Sequence, residues 1–285
     1  MADRIGKGIR GAPRDALIAD ITPPAIHGAA FGLRQSLDTV GAFLGPLLAM
    51  GLMLLWADNF RAVFWVAVIP AVLAVGLLAF GVREPAGEPT AKRDFPIRRE
   101  KLRRMGRAYW WVVVLGTVFT LARFSEAFLV LRAQQGGLAI ALTPLVLIAM
   151  NVVYSLGAYP FGKLGDRVSR NALLAWGLVV LVAADALLAV AGQGPLLWAG
   201  IALWGLHMAM TQGLLSAMVA GSAPADLRGT AFGMFNLASG IAVLAASVIA
   251  GWVWDAHGPA LTFWCGAAFA ALALAGLLAR RPAMS

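Results

Sequence analysis

The chain has 285 residues, of which 60% are hydrophobic and only 13% charged, and its mean hydropathy is +0.79. A soluble domain carries about 25% charged residues, so a water-soluble globule is excluded and lipid is the solvent this composition suits. The formal charge of +9 does not point to nucleic acid, because nine of the 23 Lys and Arg residues gather between Arg83 and Arg107.

With a rise of 1.5 Å per residue, about 20 apolar residues cross a hydrocarbon core of ~30 Å. The first candidate helix, 4–21, is short and polar. Its Lys7, Arg10 and Arg14 share one helical face, with Asp15 adjacent and Pro13 able to kink the helix. They form either a cationic wall for an anionic solute or a structural set paired with Asp15, Asp38 or helices outside this chain. Apolar spans follow at 29–56 and 62–82. In the first of these Arg34 and Asp38, four residues apart, can pair as a gate latch, contact a solute, or simply neutralise each other.

Residues 83–108 form a basic hydrophilic linker, after which apolar spans recur at 109–131, 139–161, 171–192, 195–220, 230–254 and 259–279. The positive-inside rule puts this linker on the cytoplasmic side. Counting outward from it places the 22–28, 162–171 and 221–229 loops there too, with Lys163, Arg167, Arg170 and Arg228, together with the Arg280-Arg281 tail. Cys265 is the only cysteine, so no intrachain disulfide forms. The first twenty residues hold seven charged side chains and lack the apolar run of a cleavable signal peptide.

The chain also repeats itself. His27-Gly28-Ala29-Ala30-Phe31-Gly32 returns as Arg228-Gly229-Thr230-Ala231-Phe232-Gly233, and 228 − 27 = 201. Phe64-Trp65 and Gly76-Leu77-Leu78-Ala79 return as Phe263-Trp264 and Gly276-Leu277-Leu278-Ala279 at similar offsets. Duplicated blocks of apolar helices are the pattern of secondary transporters, whose halves rock about a central site. Subtracting 201 from Tyr109 falls before Met1, so about three helices of the first half are expected upstream of this chain.

Ionisable groups at membrane depth are costly and point to function. Arg123, Ser125 and Glu126 are expected near the middle of one helix. Glu126 is the candidate for proton coupling, since an apolar site favours a neutral acid and a neighbouring arginine favours its anion; a permanent Arg123–Glu126 pair is the alternative. His207, Thr211 and Gln212, with Asn151, Tyr154 and Asn236 across the bundle, form either a polar lining or ordinary helix-to-helix hydrogen bonds. Asp185 is expected to be a solvated residue near a helix end. Most tryptophans, including Trp56, Trp110, Trp111, Trp198 and Trp254, are expected to be interfacial anchors. An enzyme is disfavoured: His27, His207 and His257 lie far apart with no metal-ligand spacing, and no phosphate-binding glycine motif follows a strand pattern.

Gly162-Lys163-Leu164-Gly165-Asp166-Arg167-Val168-Ser169-Arg170 resembles the loop signature of the major facilitator superfamily, G-x-L-[AG]-D-R-x-G-R, with Ser169 in place of glycine. Arg4 to Ala12 resembles the family's fourth-helix signature more loosely, with Lys7 and Arg10 at altered positions. Gly41-x-x-x-Gly45-Pro46 resembles the start of its antiporter helix motif, but Ala49 and Met50 replace the closing glycines.

The resemblance implies an all-α integral membrane protein, a bundle of eight full helices plus a partial N-terminal one in two pseudo-symmetric halves. Residues 1–82 would be helices four to six, 83–108 the linker and 109–285 helices seven to twelve. It implies secondary transport of a small solute by alternating access, with the proton as coupling ion, efflux as the direction, no cofactor and a bacterial inner membrane as the location; the cationic face of Lys7, Arg10 and Arg14 suits an anionic solute. Gly162, Gly165, Asp166, Arg167 and Arg170 would then gate by capping a neighbouring helix. The alternative is a truncated, non-transporting fragment or scaffold that needs another chain for its missing helices.

Overall fold

A computed structural model describes residues 2–56, 59–81, 99–139, 142–192 and 194–279, with side chains in the first helix from residue 11 onward. The expected linker residues 83–98 and the Arg280-Arg281 tail lie outside the described residues. The described residues are helical, with no strand. The chain divides into two compact units, Met1–Val40 with Ile97–Ser285, and Gly41–Pro96.

In the larger unit, α1 (Ala2–Ile21) is followed by the first part of α2 (His27–Leu55). After a short α4 (Arg99–Arg104) come α5 (Arg107–Leu121), α6 (Ala127–Gln135), α7 (Pro144–Gly165), α8 (Arg170–Val190), α9 (Pro195–Ser222), α10 (Arg228–His257) and α11 (Pro259–Ala279). The smaller unit holds the rest of α2 and α3 (Phe60–Gly76), which ends in a π turn at Leu77–Gly81. Among the described residues, five helical segments have the length and hydropathy of membrane spans: Pro24–Met53, Pro144–Gly165, Arg170–Val190, Ala225–His257 and Pro259–Leu278. Arg61–Gly76 and Arg107–Leu121 are shorter apolar helices.

The hub is α9, packed against both α7 and α8, while α11 lies on α8 and α10 on α5 and α1. Small residues make these approaches possible, because lipid offers no hydrophobic drive between helices and close backbone contact must hold them together. A methyl group on Gly157 of α7 would sit 2.8 Å from Ala209 Cβ on α9, and one on Gly177 of α8 would sit 2.5 Å from Thr211 Cγ2. Helix starts follow local chemistry: Ser169 caps α8 through Ala172 N–H at 3.5 Å, and Pro144 and Pro195 open α7 and α9, where a missing N–H costs nothing.

Two expectations change. The span 109–131 is not one helix: α5 stops at Leu121 and α6 starts at Ala127. No proline causes the break. Ser125 accepts from Ala127 N–H at 3.3 Å and gives its own N–H to Ser247 Oγ on α10 at 3.2 Å, so side-chain oxygens replace the lost helix bonds. Arg123, Ser125 and Glu126 therefore stand in or beside irregular backbone, which membrane proteins tolerate where protein surrounds it or water lines it. Asp185 is not solvated but completely buried. Trp204, in the middle of α9, is fully buried.

Candidate functional site

Three sets of side chains belong to the site. The first is the loop motif. The Asp166 carboxylate accepts from Gly28 N–H at 2.7 Å and Ala29 N–H at 2.8 Å, capping the first turn of α2 with a negative charge where unpaired donors and the helix dipole favour one. Glycine makes the approach possible. A methyl group on Gly32 would lie 2.5 Å from the Ala158 carbonyl oxygen and 3.1 Å from Gly162 Cα, and one on Gly213 would lie 3.1 Å from Gly32 N. Ser36 closes the contact one turn further along by donating to the Ser155 carbonyl at 2.5 Å. Gly165 backs the motif against Leu214. Arg167 is exposed, and Arg170 is half-buried, pointing toward Gly221 at the end of α9.

The second set is a ring of four charges joining α1 to α2. Arg14 contacts Asp15 at 3.3 Å and Asp38 at 3.2 Å, and Arg34 contacts Asp38 at 3.0 Å and Asp15 at 3.5 Å. Two arginines alternate with two aspartates, so the pairing of Arg34 with Asp38 read from the sequence is made and then extended across to α1. Asp15 is buried and Asp38 exposed; the ring thus has a sealed side and an open side. The side chains of Lys7 and Arg10 lie outside the described residues.

The third set surrounds the α5–α6 break. Arg123 Nη1 and the Tyr154 hydroxyl of α7 are buried without a hydrogen-bond partner among the described residues. The charges of Arg123, Glu126 and Asp38 all act on that hydroxyl, which places the break and the ring of charges within electrostatic reach of one residue. Arg123 also acts on His207. His207 itself is committed to the bundle: its ring Nδ1 donates to the Gly177 carbonyl at 2.7 Å, and Thr211 donates to the His207 carbonyl at 2.8 Å. Asn151 and Gln212 are half-buried and Asn236 is exposed. A methyl group on Gly41 or Gly45 would meet nothing among the described residues, and the Pro46 side chain lies outside them. No group of His, Cys, Asp or Glu that could hold a metal occurs among the described residues.

The repeated motif lies at the centre. Phe31 and Phe232, equivalent because 31 + 201 = 232, are both buried with ring centroids 5.7 Å apart. His27 and Arg228, also equivalent, bind the same atom: His27 Nε2–H and Arg228 Nη1–H both reach the Ala19 carbonyl, at 3.2 and 3.1 Å. Arg228 adds Asp20 at 2.6 Å, and Tyr109 donates to the Ala231 carbonyl at 3.0 Å.

A bundle of apolar helices whose two repeated segments meet face to face, with charges at its centre, is the architecture of a membrane transporter built from related halves. The sequence profile of the Major Facilitator Superfamily matches residues 3–150 and 128–284, and the chain belongs to that family. It is 32% identical over 284 residues to an uncharacterized MFS-type transporter of Methanocaldococcus jannaschii, covering 97% of this chain and 69% of that protein. It is 24% identical over 193 residues to the fosmidomycin resistance protein of Escherichia coli, covering 66% of this chain and 47% of that one. In structure it resembles the Escherichia coli fucose:proton symporter, with a TM-score of 0.67 and 18% identity over 92% of this chain and 72% of the symporter. The chain is thus an integral membrane protein of a transporter family, not an enzyme.

Proposed function

We propose that the chain carries out proton-coupled secondary transport of a small anionic solute by alternating access, in the outward direction. The observation that carries this reading is the pair of buried, unpartnered donors at the helix break, Arg123 Nη1 and the Tyr154 hydroxyl. An unpaired buried donor is expensive, and an anion is the ligand that would satisfy a guanidinium and a hydroxyl together. Glu126, three residues from Arg123 and in the same break between α5 and α6, is the acid assigned to the coupling proton. The half-open ring of Arg14, Asp15, Arg34 and Asp38, whose Asp38 is exposed, is assigned to the solute route.

With the basic linker cytoplasmic by the positive-inside rule, the Asp166 cap and the Gly28–Gly32 crossing close the cytoplasmic side, and Asp166, Arg167 and Arg170 form the gate. Efflux draws support from the name of the Escherichia coli relative, a resistance protein, and from the partial Gly41-x-x-x-Gly45-Pro46 motif. A plasma membrane, in bacteria the inner one, is the matching location. The second reading, a piece that works beside another chain, draws on the 69% of the archaeal relative's length that this chain spans.

The test is solute flux in liposomes under an imposed pH gradient, with a panel of organic anions. The gradient should drive anion movement, and Arg123→Ala and Tyr154→Phe should each raise the apparent KM by about tenfold or more, the cost of one lost hydrogen bond to a charge. Glu126→Gln should leave anion binding and abolish the pH dependence. Unchanged kinetics in Arg123→Ala would sink the anion site. Silence that is relieved only by adding upstream helices would establish the second reading.

A further inference from the structure

Asp185 has no part in the site above, yet it is the most isolated acid described. It lies on α8, five residues before the helix ends at Val190, it is 0% exposed, and neither carboxyl oxygen has a hydrogen-bond partner among the described residues. It fits because α11 carries a glycine opposite: a methyl group on Gly266 would lie 2.7 Å from Asp185 Oδ2 and 2.9 Å from Phe124 Cε1. The carboxyl group and the ring of Phe124 thus converge on one point of α11.

The charged and titratable groups on the surrounding elements make no hydrogen bond or ion pair with Asp185 among the described residues. Arg132 of α6 donates to the Leu188 carbonyl at 2.8 Å and the Ala189 carbonyl at 3.2 Å, and also to Ala191, at the end of α8 and its C-cap beyond Asp185. His207 of α9 is bound to Gly177. Arg123 and Glu126 flank Phe124 on the break, and Cys265 adjoins Gly266 on α11; none is paired with Asp185 among the described residues. An unpaired carboxylate in such a place costs several kcal/mol or more, whereas the neutral acid needs no counter-charge. The group therefore holds a proton in this conformation.

Phe124 is the wall beside Asp185 and Gly266. It stands in the α5–α6 break rather than in a helix and packs against Phe128, Trp204 and Phe263 at centroid distances of 5.2, 5.3 and 5.4 Å. Beside it lies a cavity of about 190 Å³ lined by Leu121, Phe124, Ala250, Thr262, Cys265 and Gly266, so the ring has room to swing away. We propose that Asp185 is a proton-binding site, closed by Phe124 and Gly266 in this conformation and opened to water when the break moves. On opening, the O–H bond of the acid breaks, the proton passes to water and the carboxylate is left hydrated; closing requires a proton to return. The link to transport rests on the proton-coupled reading above, because Arg123 and Glu126 sit on either side of the same ring, but the site itself does not.

The experiment is infrared spectroscopy of the purified full chain in H2O and D2O. A carboxylic-acid carbonyl band should be present at neutral pH, shift when aspartate is labelled with carbon-13 in the unaltered chain, and vanish in Asp185→Asn. Its shift on exchange into deuterium should be slow, and faster by about tenfold or more in Phe124→Ala, as expected when a local barrier falls by about 1.4 kcal/mol. No aspartate acid band, a band that survives in folded Asp185→Asn, or equal exchange with and without the Phe124 ring would overturn the proposal. In liposomes, Asp185→Asn should lower the protons moved per solute. If the unaltered chain moves no solute with protons, the transport reading fails, while the band still decides whether Asp185 is the site.

Discussion

The two copies of the duplicated motif begin from nearly the same peptide and end in different surroundings. In the first, His27 to Gly32, the helix start is capped by Asp166 and the glycines are pressed against Ala158, Gly162 and Gly213. In the second, Arg228 to Gly233, α10 starts without a side-chain cap, and a methyl group on Gly229 or Gly233 would meet nothing among the described residues. A glycine in a membrane helix is therefore not a packing site in itself; the helix that faces it decides.

Four perturbations break or sharpen this comparison. The largest effect should come from the shared centre: Phe31→Ala and Phe232→Ala should each cost about 3–5 kcal/mol. The double variant should fall short of their sum by about 0.5–1.5 kcal/mol, the coupling of two rings in contact, in denaturant unfolding followed in micelles. Full additivity would mean that the copies do not meet. Next, Gly32→Val should lose about 1–3 kcal/mol by overpacking, while Gly233→Val stays within about 0.5 kcal/mol; equal losses would erase the distinction between the copies.

Third, Asp166→Asn should weaken the cap by about 0.5–2 kcal/mol. The readout is disulfide cross-linking between Ser36→Cys and Ser155→Cys, which should slow as the crossing loosens. Smallest, Asp226→Asn just ahead of the second copy removes a contact with Arg104 at 2.7 Å between two side chains that are each 56% exposed, worth about 0–1 kcal/mol.

Much of this was open to the sequence because it depends on local pattern. The 201-residue offset pairs Phe31 with Phe232 before any coordinates, and G-x-L-[AG]-D-R places an acid where a helix start can use it. The break at Ala122–Glu126 was not legible: 109–131 is long and apolar enough for one span despite Arg123, Ser125 and Glu126, and the oxygen that accepts the Ser125 N–H comes from Ser247 on a distant helix. Ser125 two residues ahead of α6 was the one local sign, as serine favours helix starts. Asp185 was misread for a related reason. Its distance from the end of an apolar span suggests water, whereas its burial depends on α11 presenting Gly266, one glycine among 32, 266 − 185 = 81 residues later.

The carbonyl of Ala19 has two lone pairs, and the two copies take one contact each: His27 from α2 and Arg228 from α10. Each has a second hold close by, His27 on the Thr22 carbonyl at 3.1 Å and Arg228 on Asp20 at 2.6 Å. The end of α1 is thus a shared clasp, and neither α2 nor α10 can slide along it without letting go. The tilted contact of Phe31 on Phe232, with 41° between the ring planes, joins the same two helices four residues further along each.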